Sequence, residues 1–187
     1  MERKLIFDAA LKLIREGKFH STPMSEIAYH ARLTESTTVY FFESRDKLLA
    51  ELMNYISDAL LSVIEPGSRE GSSFEERFYA IWMSLYEFYV RRPEILTFVE
   101  QAQNLGAPGR HSFSKPAFMQ SLVAFFARKE NTVAGLRPET LANLFHGSVA
   151  TAAKINLGTN ADELRYVAQI LWDGLGAVNG TKVRLAT

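Results

Sequence analysis

The chain has 187 residues and a mass of 21.1 kDa, the size of one large domain or of a small domain joined to a mid-sized one. Apolar residues make up 47% and charged residues 22%, which excludes general disorder. Lys plus Arg total 21 against 21 Asp plus Glu, so a wholesale basic surface is excluded and only a local patch is left open. With no cysteine in the chain, disulfide scaffolds, thiolate metal sites, iron–sulfur clusters and thiol catalysis are excluded too.

The N-terminal residues carry charges at positions 2, 3, 4, 8 and 12, and no apolar stretch there is long enough for a signal peptide. No window approaches the length of a transmembrane span, so no membrane partner and a soluble, cytoplasmic protein are expected. Strand signals are scarce, whereas helical periodicity is abundant. The first helix places Leu5, Ala9 and Leu13 beside Ile6, Ala10 and Ile14 on one broad stripe, with Gly17 at the C-cap. A second, short helix carries Met24, Ile27, Ala28 and Ala31, with Thr22 or Ser25 as its cap. A third runs over Glu35 to Phe42 behind the N-cap Thr34. From Arg45, the residues Leu48, Leu49, Leu52, Met53, Ile56, Leu60 and Ile64 sustain about five turns, closed near Pro66-Gly67. Pro66 to Ser73 reads as a loop. Further helices are predicted at 74–91, 94–105, 116–133, 138–157 and 162–179, punctuated by proline and glycine. The expected fold is all-α, with about nine helices: an N-terminal three-helix helix-turn-helix domain at 1–47 and a larger helical domain at 48–187, a dimerisation domain by its last two helices and a ligand-binding domain by what the family resemblance given below implies. Residues 1–47 hold eight basic and seven acidic side chains, so net charge alone does not mark a nucleic-acid-binding end.

The stretch Met24 to Phe42 is the sharpest signal. Two short helices meet at a turn around Arg32, Leu33 and Thr34; Ala28 and Ala31 are small enough for a close crossing, and Leu33 is placed to plug the angle. In helix-turn-helix logic the second helix enters the major groove with its N-terminal side chains at base edges. Thr34, Glu35, Ser36, Thr37 and Thr38 then present hydroxyls and one carboxylate, and a glutamate can accept from cytosine N4. Tyr40 and the turn residue Arg32 are further contact candidates. Arg45 and Lys47 open the fourth helix, where basic groups oppose the helix dipole; nearby phosphates would supply the missing negative charge.

The run from Leu5 to Leu49 resembles the N-terminal DNA-binding domain of the TetR family of transcriptional regulators. The family's Ala-Ala helix, Gly and aromatic correspond to Ala9, Ala10, Gly17 and Phe19, and its Thr-x-x-x-Ile-Ala helix to Thr22, Ile27 and Ala28. The Ala-Gly-Val-Ser turn is represented by Ala31, Arg32, Leu33 and Thr34, and the closing segment by Phe42, Ser44, Arg45, Asp46 and Leu48. Three positions depart from the pattern: Arg32 stands where the family usually has Gly, Val39 where a Tyr is common, and Glu35 near a commonly basic position. The resemblance covers about a quarter of the chain. It implies a dimer that binds double-stranded DNA at a palindromic operator and a small-molecule effector that usually weakens that binding.

Twelve of the 22 aromatic residues lie between 74 and 126. Phe78, Trp82, Tyr86 and Tyr89 share one helix face, and Phe98, with Phe118, Leu122 and Phe125, is expected to form facing walls. Pattern alone reads as core; with the resemblance, the same residues become the lining of a pocket for a small apolar effector. Glu100, Gln103, Asn104 and His146 are its polar candidates. The histidines at 20, 30, 111 and 146 show no metal-ligand spacing, and neither metal nor cofactor is expected. The last two helices, around 141–155 and 164–178, carry more apolar surface than so small a domain can cover, which predicts a homodimer through a four-helix interface. No nucleophile–base set, HExxH or phosphate-binding glycine loop is present, so the expected function is a ligand-responsive DNA-binding regulator, a repressor released by effector, and not an enzyme. The alternative is a helical dimeric interaction module that has lost DNA binding.

Overall fold

The structure, a computed structural model, describes residues 1–18, 22–68, 72–104, 116–128, 135–155 and 161–180, with the side chains of 67, 68, 103, 104, 161, 162 and 176–180 left undescribed. Phe19, His20, His111 and Phe113 lie outside the described residues. Among those described, the regular structure is helical: α1 (Glu2–Arg15), α2 (Met24–His30), α3 (Glu35–Phe42), α4 (Arg45–Ile64), α5 (Phe74–Arg91), α6 (Pro93–Asn104), α7 (Ala117–Ala127), α8 (Pro138–Lys154) and α9 (Ala161–Gly180). The loop expected from Pro66 begins instead with a 3₁₀ turn over Glu65–Ser68, and the predicted helices at 116–133 and 138–157 stop at Ala127 and Lys154.

Local chemistry sets the ends. The α1 helix closes in a Schellman motif: the Gly17 N–H donates to the Ile14 carbonyl at 2.9 Å and the Lys18 N–H to Leu13 at 3.0 Å, with Gly17 at φ +71. No side chain caps α2. Pro23 stands at its N-cap, and the Thr22 hydroxyl, buried, instead donates to the Lys18 carbonyl at 2.7 Å. Ser44 caps α4 by accepting from the Lys47 N–H at 3.3 Å. A reciprocal capping box starts α5, the Ser73 N–H donating to the Glu76 carboxylate at 2.8 Å and the Glu76 N–H to the Ser73 hydroxyl at 3.1 Å. The Ser73 backbone N–H and the Ser73 side chain, both hydrogen-bonding the Glu76 carboxyl, hold it below the usual carboxylate range. Pro138 opens α8 at its first turn, where a missing N–H removes no helical bond.

The chain forms two compact units. The first is Met1–Asp58 with Arg92–Pro116, the second Ala59–Arg91 with Ala117–Thr187. The first thus extends past residue 47 along α4 and takes in α6, which packs on α1. Its core is built from Ile6, Ala10, Leu13 and Ile14 of α1, Ile27 and Ala28 of α2, Phe42 of α3, Leu48, Leu52 and Ile56 of α4, and Ile95 and Val99 of α6, all buried. The Phe7 ring lies 5.3 Å from Phe42 and 5.1 Å from Tyr55, which ties α1 to the end of α3 and to α4. Full burial of each such ring is worth about 1.5–3 kcal/mol. In the second unit α5 and α7 both pack on α8. Edge-to-face contacts join Phe78 to Phe145 at 5.0 Å and Phe126 to Phe145 at 5.7 Å, while Trp172 of α9 meets Phe74 at 5.1 Å and Phe78 at 5.2 Å.

Candidate functional site

Two short helices and a turn position the first candidate surface. Helix α2 ends as α1 does: the Arg32 N–H donates to the Tyr29 carbonyl at 3.0 Å and the Leu33 N–H to Ala28 at 2.9 Å. This is again a Schellman motif, but the left-handed position carries Arg32 at φ +58 in place of glycine. An L side chain there costs about 1–2 kcal/mol, and the domain tolerates it because buried Ala28, Ala31 and Ile27 over-determine the turn. The chain then extends through Thr34, whose hydroxyl accepts from the Thr37 N–H at 3.2 Å and so caps α3. The same oxygen is 2.9 Å from the Ser36 hydroxyl and 2.8 Å from that of Thr37. Three hydroxyls therefore form one connected group at the exposed start of α3.

The predicted contact residues divide by burial. Arg32, Thr34, Glu35, Ser36, Tyr40 and Lys47 are exposed, while Thr37 and Arg45 are half-buried. Tyr40 is 81% exposed, which for a large aromatic ring is unusual and leaves its face and hydroxyl available. Thr38 departs from the expectation. It is fully buried and its hydroxyl donates back to the Thr34 carbonyl at 3.4 Å. Lying one helical turn before Phe42 on the same inward face, it holds α3 to the core and is not on the outer edge.

Two residues at this surface escaped the sequence reading. Tyr29 of α2 is 78% exposed, with its ring 5.8 Å from that of His30. The phase of α2 carried the signal: Ile27, Ala28 and Ala31 point inward, which leaves Tyr29 outward. The second is Glu43, between α3 and α4, at φ +52 and ψ −41. The Ser44 N–H donates across it to the Phe42 carbonyl, a tight γ-turn of the strained kind. Its carboxylate pairs with Lys47 one turn into α4. Nothing in local composition announces a γ-turn at a glutamate.

Of the predicted effector residues, Phe78, Trp82, Tyr86, Tyr89, Phe118, Leu122, Phe125 and His146 all lie buried in the second unit. Phe98, buried, and Glu100, half-buried, belong to the first unit through α6. The side chains of Gln103 and Asn104 lie outside the described set. Polar atoms in the second unit's interior are mostly satisfied in pairs. Trp82 Nε1 donates to the Ser148 hydroxyl at 2.9 Å, which donates on to the Phe145 carbonyl at 2.7 Å. The Tyr89 hydroxyl and His146 Nε2 are 2.8 Å apart. Burial pushes the His146 pKa down to about 4, so its ring is neutral at physiological pH and Nε2 accepts if Nδ1 carries the proton. The Tyr86 ring stacks on Trp82 at 5.9 Å, almost parallel at 5°, and its buried hydroxyl has no hydrogen-bond partner among the described residues. Burial raises its pKa, so the group remains a proton donor. A cavity of about 630 Å³ lies between α5 and α9, lined by Glu76, Tyr79, Ala80, Met83, Arg165 and Gln169; none of the predicted effector residues is among them. Across it the Tyr79 hydroxyl donates to Gln169 Oε1 at 2.6 Å.

On α8 and α9, Leu144 is 49%, Tyr166 68% and Ile170 61% exposed, with Ile155 just past α8 at 63%. Tyr166 and Ile170 are one turn apart on α9.

Residues 6–52 match the family model described as bacterial regulatory proteins, tetR family. A curated helix-turn-helix-type transcriptional regulator of Bacillus subtilis, YuxN, is 24% identical over 90 residues, which is 46% of this chain and 31% of that protein. The chain thus spans about a third of that relative's length. The fold as a whole is similar to a TetR family transcription regulator from Marinobacter aquaeolei VT8, with a TM-score of 0.74 at 17% identity over 92% of this chain and 94% of that one. A TetR-family regulator from Haemophilus influenzae Rd gives 0.74 at 19% identity, over 92% and 94%. FadR from Bacillus subtilis, solved in complex with stearoyl-CoA, gives 0.66 at 15% identity, over 90% and 96%. Among the described residues no helix is long and apolar enough to cross a membrane.

Proposed function

We propose that this chain, whose residues 6–52 match the model of bacterial regulatory proteins of the tetR family, is a homodimeric repressor released from operator DNA by a small, largely apolar effector. The observation that carries the reading is the outer edge from Arg32 to Tyr40: a capped, exposed helix start, with its buried face, Thr38 and Phe42, committed to the core. In this reading Ser36 and Thr37 meet base edges, the hydroxyl of Thr34 being spent on the cap. Glu35 selects for cytosine by accepting from N4. Arg32, Tyr40, Arg45 and Lys47 contact phosphates, and exposed Tyr29 joins them. The α8–α9 surface pairs two copies, so that two reading heads meet two half-sites one turn of duplex, or a multiple, apart.

The effector enters the interior of the second unit around Trp82 and Tyr86. That interior is filled by its own rings, so binding selects an opened minor state, and its differential affinity for that state shifts the dimer away from the DNA-competent spacing. Tyr86 supplies the polar anchor. The stearoyl-CoA bound by the FadR relative supports an apolar occupant. The test is fluorescence anisotropy with duplex DNA from upstream of the protein's own gene. Expected are sub-micromolar binding that weakens steeply with salt, uniform weakening over all sequences with a salt slope lower by about one for Lys47→Ala, and altered sequence preference for Thr37→Ala. Trp82→Ala should change effector affinity with little loss of DNA affinity. A purified dimer with no salt-sensitive duplex binding refutes the regulator reading and favours an interaction module.

A further inference from the structure

We propose that the groove between α1 and the start of α6 is a second ligand site, for a small phosphate ester with a hydroxyl-bearing body. Lys4, Asp8, Leu11, Lys12 and Arg15 recur at helical spacing along one face of α1, and with Arg92 and Glu94 they line a cavity of about 390 Å³. All seven belong to the first unit, where α1 and α6 pack together. None belongs to the Arg32–Lys47 edge or to the interior around Trp82, so the site is independent of the effector and operator surfaces.

Charge decides what the groove takes. Its lining holds four cations and two carboxylates. Both carboxylates already face one cation: Arg92 Nε donates to Glu94, and its guanidinium lies 4.0 Å from Asp8. The three remaining cations, Lys4, Lys12 and Arg15, form no ion pair among the described residues. An internally compensated trio thus sits among three positive charges that lie outside any ion pair, Lys12 alone also acting on the Glu16 carboxylate one turn along α1, an arrangement that favours a compact oxyanion over a neutral guest. Lys12 and Arg15 are about one turn apart, so both ammonium and guanidinium reach one phosphate, the guanidinium in its fork geometry. Asp8 and Glu94 have lone pairs left for hydroxyl donors on the rest of the molecule. The volume is that of a metabolite-sized pocket, and Leu11 gives it an apolar floor. A duplex backbone fits less well, since a continuous row of phosphates laid along this face would meet both carboxylates. Because its walls come from α1 and from α6, residues some eighty positions apart in sequence, an occupant clamps the two helices together and stabilises the unit that carries the reading edge.

Calorimetric titration of the full chain with adenosine monophosphate, inorganic phosphate and adenosine tests this, alongside Lys12→Gln/Arg15→Gln and the single variant Lys4→Gln. Expected is saturable binding of the monophosphate, weaker binding of phosphate alone, none of adenosine, and at least a tenfold loss in the double variant. Thermal melting of both variants checks that they fold, and Lys4→Gln, remote from the phosphate end, should lose less. The proposal is overturned by no binding at millimolar monophosphate, by binding matched by sulfate at equal ionic strength, or by binding that survives the double substitution. It is equally overturned if the double variant loses duplex affinity while the monophosphate binds neither form, because the groove then serves the DNA backbone.

Discussion

Replacing Arg32 by glycine should make this protein more stable and a weaker DNA binder. Arg32 sits at φ +58 in the same two-hydrogen-bond helix ending that Gly17 occupies at φ +71. Relieving an L side chain of the left-handed region gains about 1–2 kcal/mol. Against that, glycine widens the unfolded ensemble and costs about 0.5–1 kcal/mol. The balance is a stabilisation of about 0.5–1 kcal/mol, or roughly 2–3 °C in the melting of a chain this long. Arg32→Ala separates the two effects, since it keeps the strained backbone and removes the charge: its stability should stay close to wild type. The mirror substitution is Gly17→Ala. An added Cβ there meets nothing within 4 Å, so its net loss, by the same balance about 0.5–1 kcal/mol, is conformational alone. Melting by circular dichroism gives the stabilities, and anisotropy with an upstream duplex gives the affinities, which should fall similarly for Arg32→Gly and Arg32→Ala because both would lose the phosphate contact proposed for Arg32. If Arg32→Gly melts at or below wild type while Gly17→Ala behaves as stated, the arginine side chain stabilises the turn by more than its φ costs, and the strain argument at this position is wrong.

His146 contributes a pH-dependent term. Its pKa is lowered from 6.5 to about 4 by burial, so between those values the unfolded chain binds a proton that the folded one does not. Stability from this group is fully present above pH 6.5 and is lost as pH falls toward 4, about 3 kcal/mol in all; a His146→Gln variant should show a flatter stability profile across that window in urea titrations. Tyr86→Phe removes a buried hydroxyl that has no partner among the described residues and should raise the effector-free melting temperature, by the equivalent of about 1 kcal/mol, while weakening any effector that carries a hydrogen-bond acceptor; a lower melting temperature would mean the hydroxyl is satisfied in solution. Glu43→Gln frees Lys47 from its ion pair and deletes a negative charge beside the reading edge. Duplex affinity should rise, with a salt slope steeper by up to about one, and unchanged binding would place Lys47 away from the phosphates.

Local signals made the reading edge legible. Thr34, followed by a polar first turn, announces the start of α3, and the spacing of Ile27, Ala28 and Ala31 announces the inner face of α2. What local signals cannot carry is tertiary phase in a short helix. Thr38 looked like its neighbours Ser36 and Thr37, but an eight-residue helix has barely two turns, and the anchor that turned Thr38 inward was Phe42 packing on Phe7, a contact across 35 positions. In the second unit the stripe of Phe78, Trp82, Tyr86 and Tyr89 was correct as a face, because periodicity fixes faces. The bonds from Trp82 to Ser148 and from Tyr89 to His146 join residues 66 and 57 positions apart, and no pattern along one helix encodes its partner on another. Helix α6 shows the same limit on a larger scale: its sequence follows α5 across a single residue, Arg92, yet its apolar face, Ile95 and Val99, serves the unit that also holds α1.

The two non-glycine residues with positive φ, Arg32 and Glu43, flank α3 at its two ends. That placement is informative because the helix between them buries only Thr38 and Phe42 and so has little packing of its own with which to fix its direction. Tight reversals at both ends do that instead: one backbone turn sets where α3 starts relative to α2, the other where it ends relative to α4. A glycine at each would make the same turns with less strain, but would also allow many others in the native ensemble. Charged residues there lose some stability and gain a narrower hinge, and each places a side chain at the outer edge, one cationic and one anionic. The anionic one draws Lys47 toward itself, so the phosphate contact proposed for that lysine would require displacing a carboxylate. Under the proposed function, binding at this edge would be an exchange of ion partners rather than a simple gain of contacts, and an effector with a few kcal/mol of preference would suffice to reverse it.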